Sequence, residues 1–128
     1  MLVTGAVFGA LAVMTGAFGA HALQGLLDER ALAWYDTAVT YQARHAIALV
    51  ACGLLAGRQP GRALTAAAVC LVLGTLVFSG SLYLMAFSGW TRAGMITPLG
   101  GALLITGWIA LAVAAARLPA PGAHPASR

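Results

Sequence analysis

The run from Leu2 to Leu23 contains no charged side chain, and no other feature limits the fold of this chain so sharply. At 1.5 Å of rise per residue, a helix of this length crosses a hydrocarbon core of about 30 Å. Three further apolar runs follow, at about 41–56, 63–88 and 97–116. Composition agrees, with 61% of the 128 residues hydrophobic and only 8% charged, and a mean hydropathy of +0.90. So small a domain has too little interior to hide that much apolar surface, and lipid must act as its solvent. The expected fold is an all-α integral membrane protein. Residues 1–117 form one antiparallel bundle of four transmembrane helices, and a Pro-rich tail over 118–128 is expected to be disordered.

Local signals mark the ends of these spans. Ala20-His21-Ala22 resembles a signal-peptidase site, but no Lys or Arg precedes the run and it is longer than a usual h-region, so it reads as a permanent span. Asp28 is an N-cap candidate, and no Gly or Pro interrupts the chain from Glu29 to Cys52, so a helix that starts there can run on into the second span. Residues 28–40 read as an amphipathic interfacial segment, with Trp34 and Tyr35 at headgroup depth and Leu32, Tyr35 and Val39 sharing a face. Gly57 to Arg62, with Pro60 inside it, is a stop and turn. Thr97-Pro98 reads as an N-cap followed by proline at the first helical position.

Between apolar helices in lipid, small residues provide the packing. Gly5, Gly9, Ala12, Gly16 and Gly19 follow steps of four and three and fall on one stripe of the first span. Gly74 in the third span and Gly100 and Gly107 in the fourth mark further small-residue faces. Such stripes let backbones approach closely, so these glycines are the expected helix-packing positions.

All seven basic residues are arginines, set against three acids, Asp28, Glu29 and Asp36. The arginines are scattered between spans, which argues against a nucleic-acid surface and suits loop charges at a lipid interface. With four spans, Arg58, Arg62, Arg117 and Arg128 share one side with both termini, and Arg30, Arg44 and Arg92 share the other with the acids. The excess places both termini in the cytoplasm of a multi-pass inner-membrane protein. Cys52 and Cys70 fall inside apolar runs without CxxC spacing and read as small buried hydrophobes.

The same topology gathers His21, Tyr41, Gln42, Arg44, His45, Tyr83 and Thr97 at the non-cytoplasmic ends of their spans, with Ser79 one turn below Tyr83. His21 and His45 are expected within about 12 Å of each other, the reach of one small ligand at about 3 Å per hydrogen bond, with Tyr41 beside His45 at i, i+4. Two uses of this cluster stay open. The side chains can pair with one another and fix helix packing, or neutral imidazoles can hold haem, a metal or a quinone. Proton or solute transport has less support, because every acid lies in a connection. Hydrolysis has no Gly-x-Ser-x-Gly frame or histidine-paired acid behind it.

Gly16-Ala17-Phe18-Gly19-Ala20-His21, Tyr41-Gln42 with His45, the stretch Gly74 to Tyr83, and Ile96-Thr97-Pro98-Leu99-Gly100-Gly101 together resemble the successive signatures of the YgdD-like family of small membrane proteins, a domain of unknown function (423). The resemblance spans residue 5 to about 116. It implies a bacterial cytoplasmic-membrane protein of four helices, with eukaryotic relatives, and carries no established reaction, cofactor or catalytic residue. The functional expectation is accordingly a non-enzymatic structural, assembly or accessory component whose partners are lipid and another membrane protein or a second copy of itself.

Overall fold

The computed structural model describes residues 1–58 and 60–117; the tail expected to be disordered lies outside the described residues. Four helices span Leu2–His21 (α1), Glu29–Arg58 (α2), Arg62–Ser88 (α3) and Thr97–Ala116 (α4), with a short 3-10 turn over Thr91–Met95. All four are long and apolar enough to cross a membrane. With 30 residues, α2 is about 45 Å long, so it outruns the hydrocarbon core and absorbs the interfacial segment as its first three turns.

The helix ends have local causes. Asp28 caps α2, its Oδ1 accepting the backbone N–H of Ala31 at 2.7 Å, which satisfies one of the orphan donors at a helix start. Gly89 closes α3 in the left-handed region (φ 67) with its N–H on the Met85 carbonyl, a conformation that glycine adopts without steric cost. At α4 the expected cap is not formed. Ile96 is the cap residue and no side chain caps it, because the Thr97 hydroxyl lies across the helix interface, 2.7 Å from Ser81 Oγ.

Each helix packs chiefly on its neighbours in sequence, α1 on α2, α2 on α3 and α3 on α4. The outer helices therefore bury narrow seams, Gly5, Ala12 and Gly19 in α1, and Gly100, Leu104, Gly107 and Leu111 in α4. In α2 the seam is Ala31, Tyr35, Ala38, Gln42, His45, Leu49 and Cys52, again in steps of four and three. Nearest the Arg58–Arg62 turn the core is aliphatic, built on Leu49, Cys52, Leu64, Leu71, Leu104 and Leu111. Toward the other end it turns aromatic, around Tyr35, Tyr83 and Trp34.

Register comes from backbone contact. A Cβ added at Gly5 would lie 2.8 Å from Val50 N and 2.9 Å from Ala46 O, and one at Gly100 only 2.5 Å from Phe78 N. Backbone atoms cannot step aside as a flexible side chain can. Gly19 seats the Tyr35 ring, while Gly74 and Gly107 meet Leu104 and Leu71 across the α3–α4 seam. Gly53, which the stripe argument overlooked, lies against the backbone of Leu2. Gly9 and Gly16 are looser, their nearest neighbours being Ala46 Cβ at 3.8 Å and Val39 Cγ1 at 3.4 Å.

Gly5→Ala and Gly100→Ala should each destabilise the protein by about 1–3 kcal/mol through overpacking, whereas Gly9→Ala should leave it near the parent. Reversible unfolding of the three variants in mixed micelles checks this ordering.

Candidate functional site

Four polar side chains tie α1, α2 and α3 together inside the apolar bundle. Gln42 Nε2 on α2 donates to the Phe8 carbonyl on α1 at 3.1 Å. The Tyr83 hydroxyl on α3 donates to Gln42 Oε1 at 3.0 Å and lies 3.4 Å from Thr15 Oγ1. The Tyr35 hydroxyl donates to the Thr15 carbonyl at 2.7 Å. Ser79 Oγ, on the same side of α3, donates to the Ala38 carbonyl at 2.9 Å. Lipid offers no hydrogen bonds, so a polar group here finds its partner within the protein. Among the described residues no fully buried side-chain nitrogen or oxygen lacks a partner.

Tyr35 anchors this network. It was expected as an interfacial aromatic, yet it is turned into the bundle and is 1% exposed, with its ring edge-on to Tyr83 at 5.3 Å and to Phe87 at 5.6 Å. The signal that would have found it is the four-three spacing from Ala31 to Cys52, on which Tyr35 falls. Thr15 was also missed; its carbonyl accepts from Tyr35 because Gly19, one turn on, leaves space for the ring.

The two histidines are not brought together. His45 is buried (5% exposed), and His21 is exposed at the end of α1. Gly9 faces Ala46 and Gly19 faces Tyr35, so His21 lies level with about residue 33 of α2. The twelve residues from there to His45 amount to about 18 Å of rise, beyond the reach of one shared small ligand. The cause is the length of α2. Residues 28–40 were expected to lie across the interface, but residues 29–40 run antiparallel along α1 and carry Tyr41 to His45 deeper into the bundle.

His45 Nδ1 lies 2.6 Å from the Tyr41 carbonyl. A carbonyl only accepts, so Nδ1 carries the proton and Nε2 of the neutral ring keeps its lone pair. The imidazole stacks on Tyr41 (5.8 Å) and meets Trp108 of α4 edge-on (6.2 Å), and Tyr41 in turn stacks on Phe78 at 4.4 Å. Arg44 is exposed, its Cζ 6.0 Å from the Tyr41 ring centroid. Thr97 belongs to a separate α3–α4 contact with Ser81. The expected layer is thus three groups: the Gln42–Tyr83 network with Ser79, the Tyr41–Arg44–His45 face, and the Ser81–Thr97 pair.

A cleft of about 130 Å³ opens between α1 and α3 over Gln42, Ser79 and Tyr83, all of which already hold partners. A larger groove of about 440 Å³ between α1 and α2 is lined by Gly9, Ala46, Ile47 and other apolar residues. Neither is lined by a histidine. Among the described residues no three His, Cys, Asp or Glu side chains are grouped to hold a metal ion.

A family profile described as a protein of unknown function (DUF423) matches residues 15–101. The chain is 40% identical over 113 residues to a UPF0382 membrane protein of Staphylococcus epidermidis, covering 88% of this chain and 92% of the relative. It is 44% identical over 107 residues to a UPF0382 membrane protein of Haemophilus influenzae, with 84% and 86% covered. It is also 36% identical over 122 residues to the inner membrane protein YgdD of Escherichia coli, with 95% and 93% covered. No solved structure matches the chain.

If the Gln42–Tyr83 network holds the helices together, Tyr83→Phe should cost about 0.6–1.7 kcal/mol. Gln42→Leu should cost more, about 1–3 kcal/mol, because it removes the bond to the Phe8 carbonyl as well and strands the Tyr83 hydroxyl. A double-mutant cycle on unfolding free energy should show the two changes to be non-additive; simple additivity would mean that the two side chains act independently.

Proposed function

The chain belongs to the DUF423 family of membrane proteins, and within it we propose a non-enzymatic role as a structural, assembly or accessory component of the cytoplasmic membrane. One observation carries this reading: the polar side chains inside the bundle are bonded to one another and to backbone carbonyls. Tyr83 donates to Gln42, Gln42 to the Phe8 carbonyl, and Tyr35 to the Thr15 carbonyl, which is how a membrane bundle fixes its packing. A reactive centre would instead present a nucleophile beside an unengaged base, or a convergent ligand set.

Both termini lie in the cytoplasm in this reading. Arg58, Arg62 and Arg117 share their side, while Arg30 and Arg92 lie at the other ends of the helices with Asp28, Glu29 and Asp36. A relative named as an inner membrane protein supports the cytoplasmic membrane. The partner of such a component is another membrane protein or a second copy; the scattered arginines do not suit nucleic acid.

The alternative is a binder of haem, a metal or a quinone, which would rely on His45 and Tyr41, because His21 is too far away; a transporter of protons or small solutes is the remaining alternative. Absorption spectra and metal analysis of the protein purified from native membranes separate these readings. The expected result is protein absorption alone, sub-stoichiometric metal, and migration in native gels as a discrete assembly. A Soret band, one metal per chain, or ligand-dependent flux in proteoliposomes would overturn the assignment.

A further inference from the structure

One face of α2 carries polar groups that the bundle does not use. Thr40 and Arg44, at i and i+4, are exposed, and Tyr41 beside them is half-buried. The serine and threonine hydroxyls of the helices mostly bond back to a carbonyl one turn earlier, as Thr15, Thr37, Thr75 and Thr106 do. Thr40 has no such bond among the described residues. Arg44 forms no ion pair there either, and its side chain leans over Tyr41 toward the start of the helix. His45 Nε2 also lacks a partner. Because no fully buried side-chain nitrogen or oxygen is left unpaired, Nε2 must reach the surface.

Depth makes this face notable. From Arg58 to Arg44 there are fourteen residues, about 21 Å of helix. In a core of about 30 Å, with Arg58 at one boundary, the Arg44 backbone lies about 9 Å inside the other. A second mark gives a similar depth. Ser79 meets Ala38, and Ser81, two residues further along the antiparallel α3, meets Thr97, so the start of α4 is level with about residue 36, and Arg44 is eight residues deeper, about 12 Å. An arginine at this depth extends toward the near boundary and pairs with what it meets there.

We propose that this face seats one anionic phospholipid from the leaflet on the Asp28 side. Its phosphate sits on Arg44 with the Thr40 hydroxyl donating to it. One cation and a hydroxyl donor match a phosphodiester whose headgroup carries no cation of its own, of which phosphatidylglycerol is the simplest. An acyl chain then runs beside Trp108, which is 48% exposed. The acids of a parallel second copy, Asp28, Glu29 and Asp36, lie at least eight residues, about 12 Å, nearer the boundary and are fixed to their helix, whereas a phospholipid is free to settle toward the guanidinium.

The test is native mass spectrometry of the full chain after delipidation and exposure to equal amounts of phosphatidylglycerol and phosphatidylcholine. One phosphatidylglycerol should be retained per chain. Arg44→Gln should lower its occupancy about fivefold and Thr40→Val by a smaller factor, while Arg44→Lys and Arg92→Gln should stay near the parent. Circular dichroism confirms that each variant is folded, and Arg44→Lys preserves the test if Arg44→Gln is not. Unchanged phosphatidylglycerol retention in Arg44→Gln, equal retention of both lipids by the parent, or displacement of lipid by millimolar inorganic phosphate would each overturn the proposal. So would loss of a protein partner from Arg44→Gln with lipid retention unchanged.

Discussion

Close contact between the backbones of α1 and α2 fixes the rest of the structure. Water drives no hydrophobic association between helices already in lipid, so contact area and shape decide how they meet. At Gly5 the backbone of α2 comes so near that one extra methyl group would collide with Val50 N and Ala46 O. That contact sets the axial register. Register then puts the Phe8 carbonyl within reach of Gln42 and leaves the space at Gly19 that the Tyr35 ring fills.

The polar network follows from this register and reinforces it. A glutamine in the apolar interior is costly unless both ends of its amide are engaged, and Gln42 meets α1 through its nitrogen and α3 through its oxygen. A slip of one residue along α1 would break the first bond, and one along α3 the second. The helices thus carry two independent records of one alignment, the volume at the glycines and the bonds at Gln42 and Tyr83. At the other end of the bundle, where the core is leucine and alanine, only shape contributes.

Serial packing of the four helices divides their tasks. The inner pair, α2 and α3, carries most of the buried residues, and α1 and α4 bury one narrow seam each. The outer helices consequently present Val3, Val13, Met14, Ile105 and Ile109 to the bilayer, where apolar exposure carries no penalty. The face of α2 beyond Tyr41 is different, because it brings hydroxyls and a guanidinium to the lipid surface at a depth where side chains are otherwise apolar.

The helices and their number were legible in the sequence, because solvent transfer and local signals decide them: uncharged runs of spanning length, Asp28 before Glu29, and the turn around Pro60. The pairing of Tyr41 with His45 was legible too, since i and i+4 residues meet on any helix. What the sequence alone did not determine was how far one helix slides along the next. Tyr35 was assigned to the interface from its type and position, and only the opening at Gly19 shows why it is buried. His21 and His45 were placed at one depth from loop order, and the tertiary register separates them, because α2 begins at Glu29 and spends three turns alongside α1 before reaching Tyr41. Thr97 was read as a cap from its neighbour Pro98, but its hydroxyl faces Ser81 instead. In each case local chemistry fixed the helix, while the fit of side-chain volumes between helices, which no single stretch of sequence contains, decided its partners.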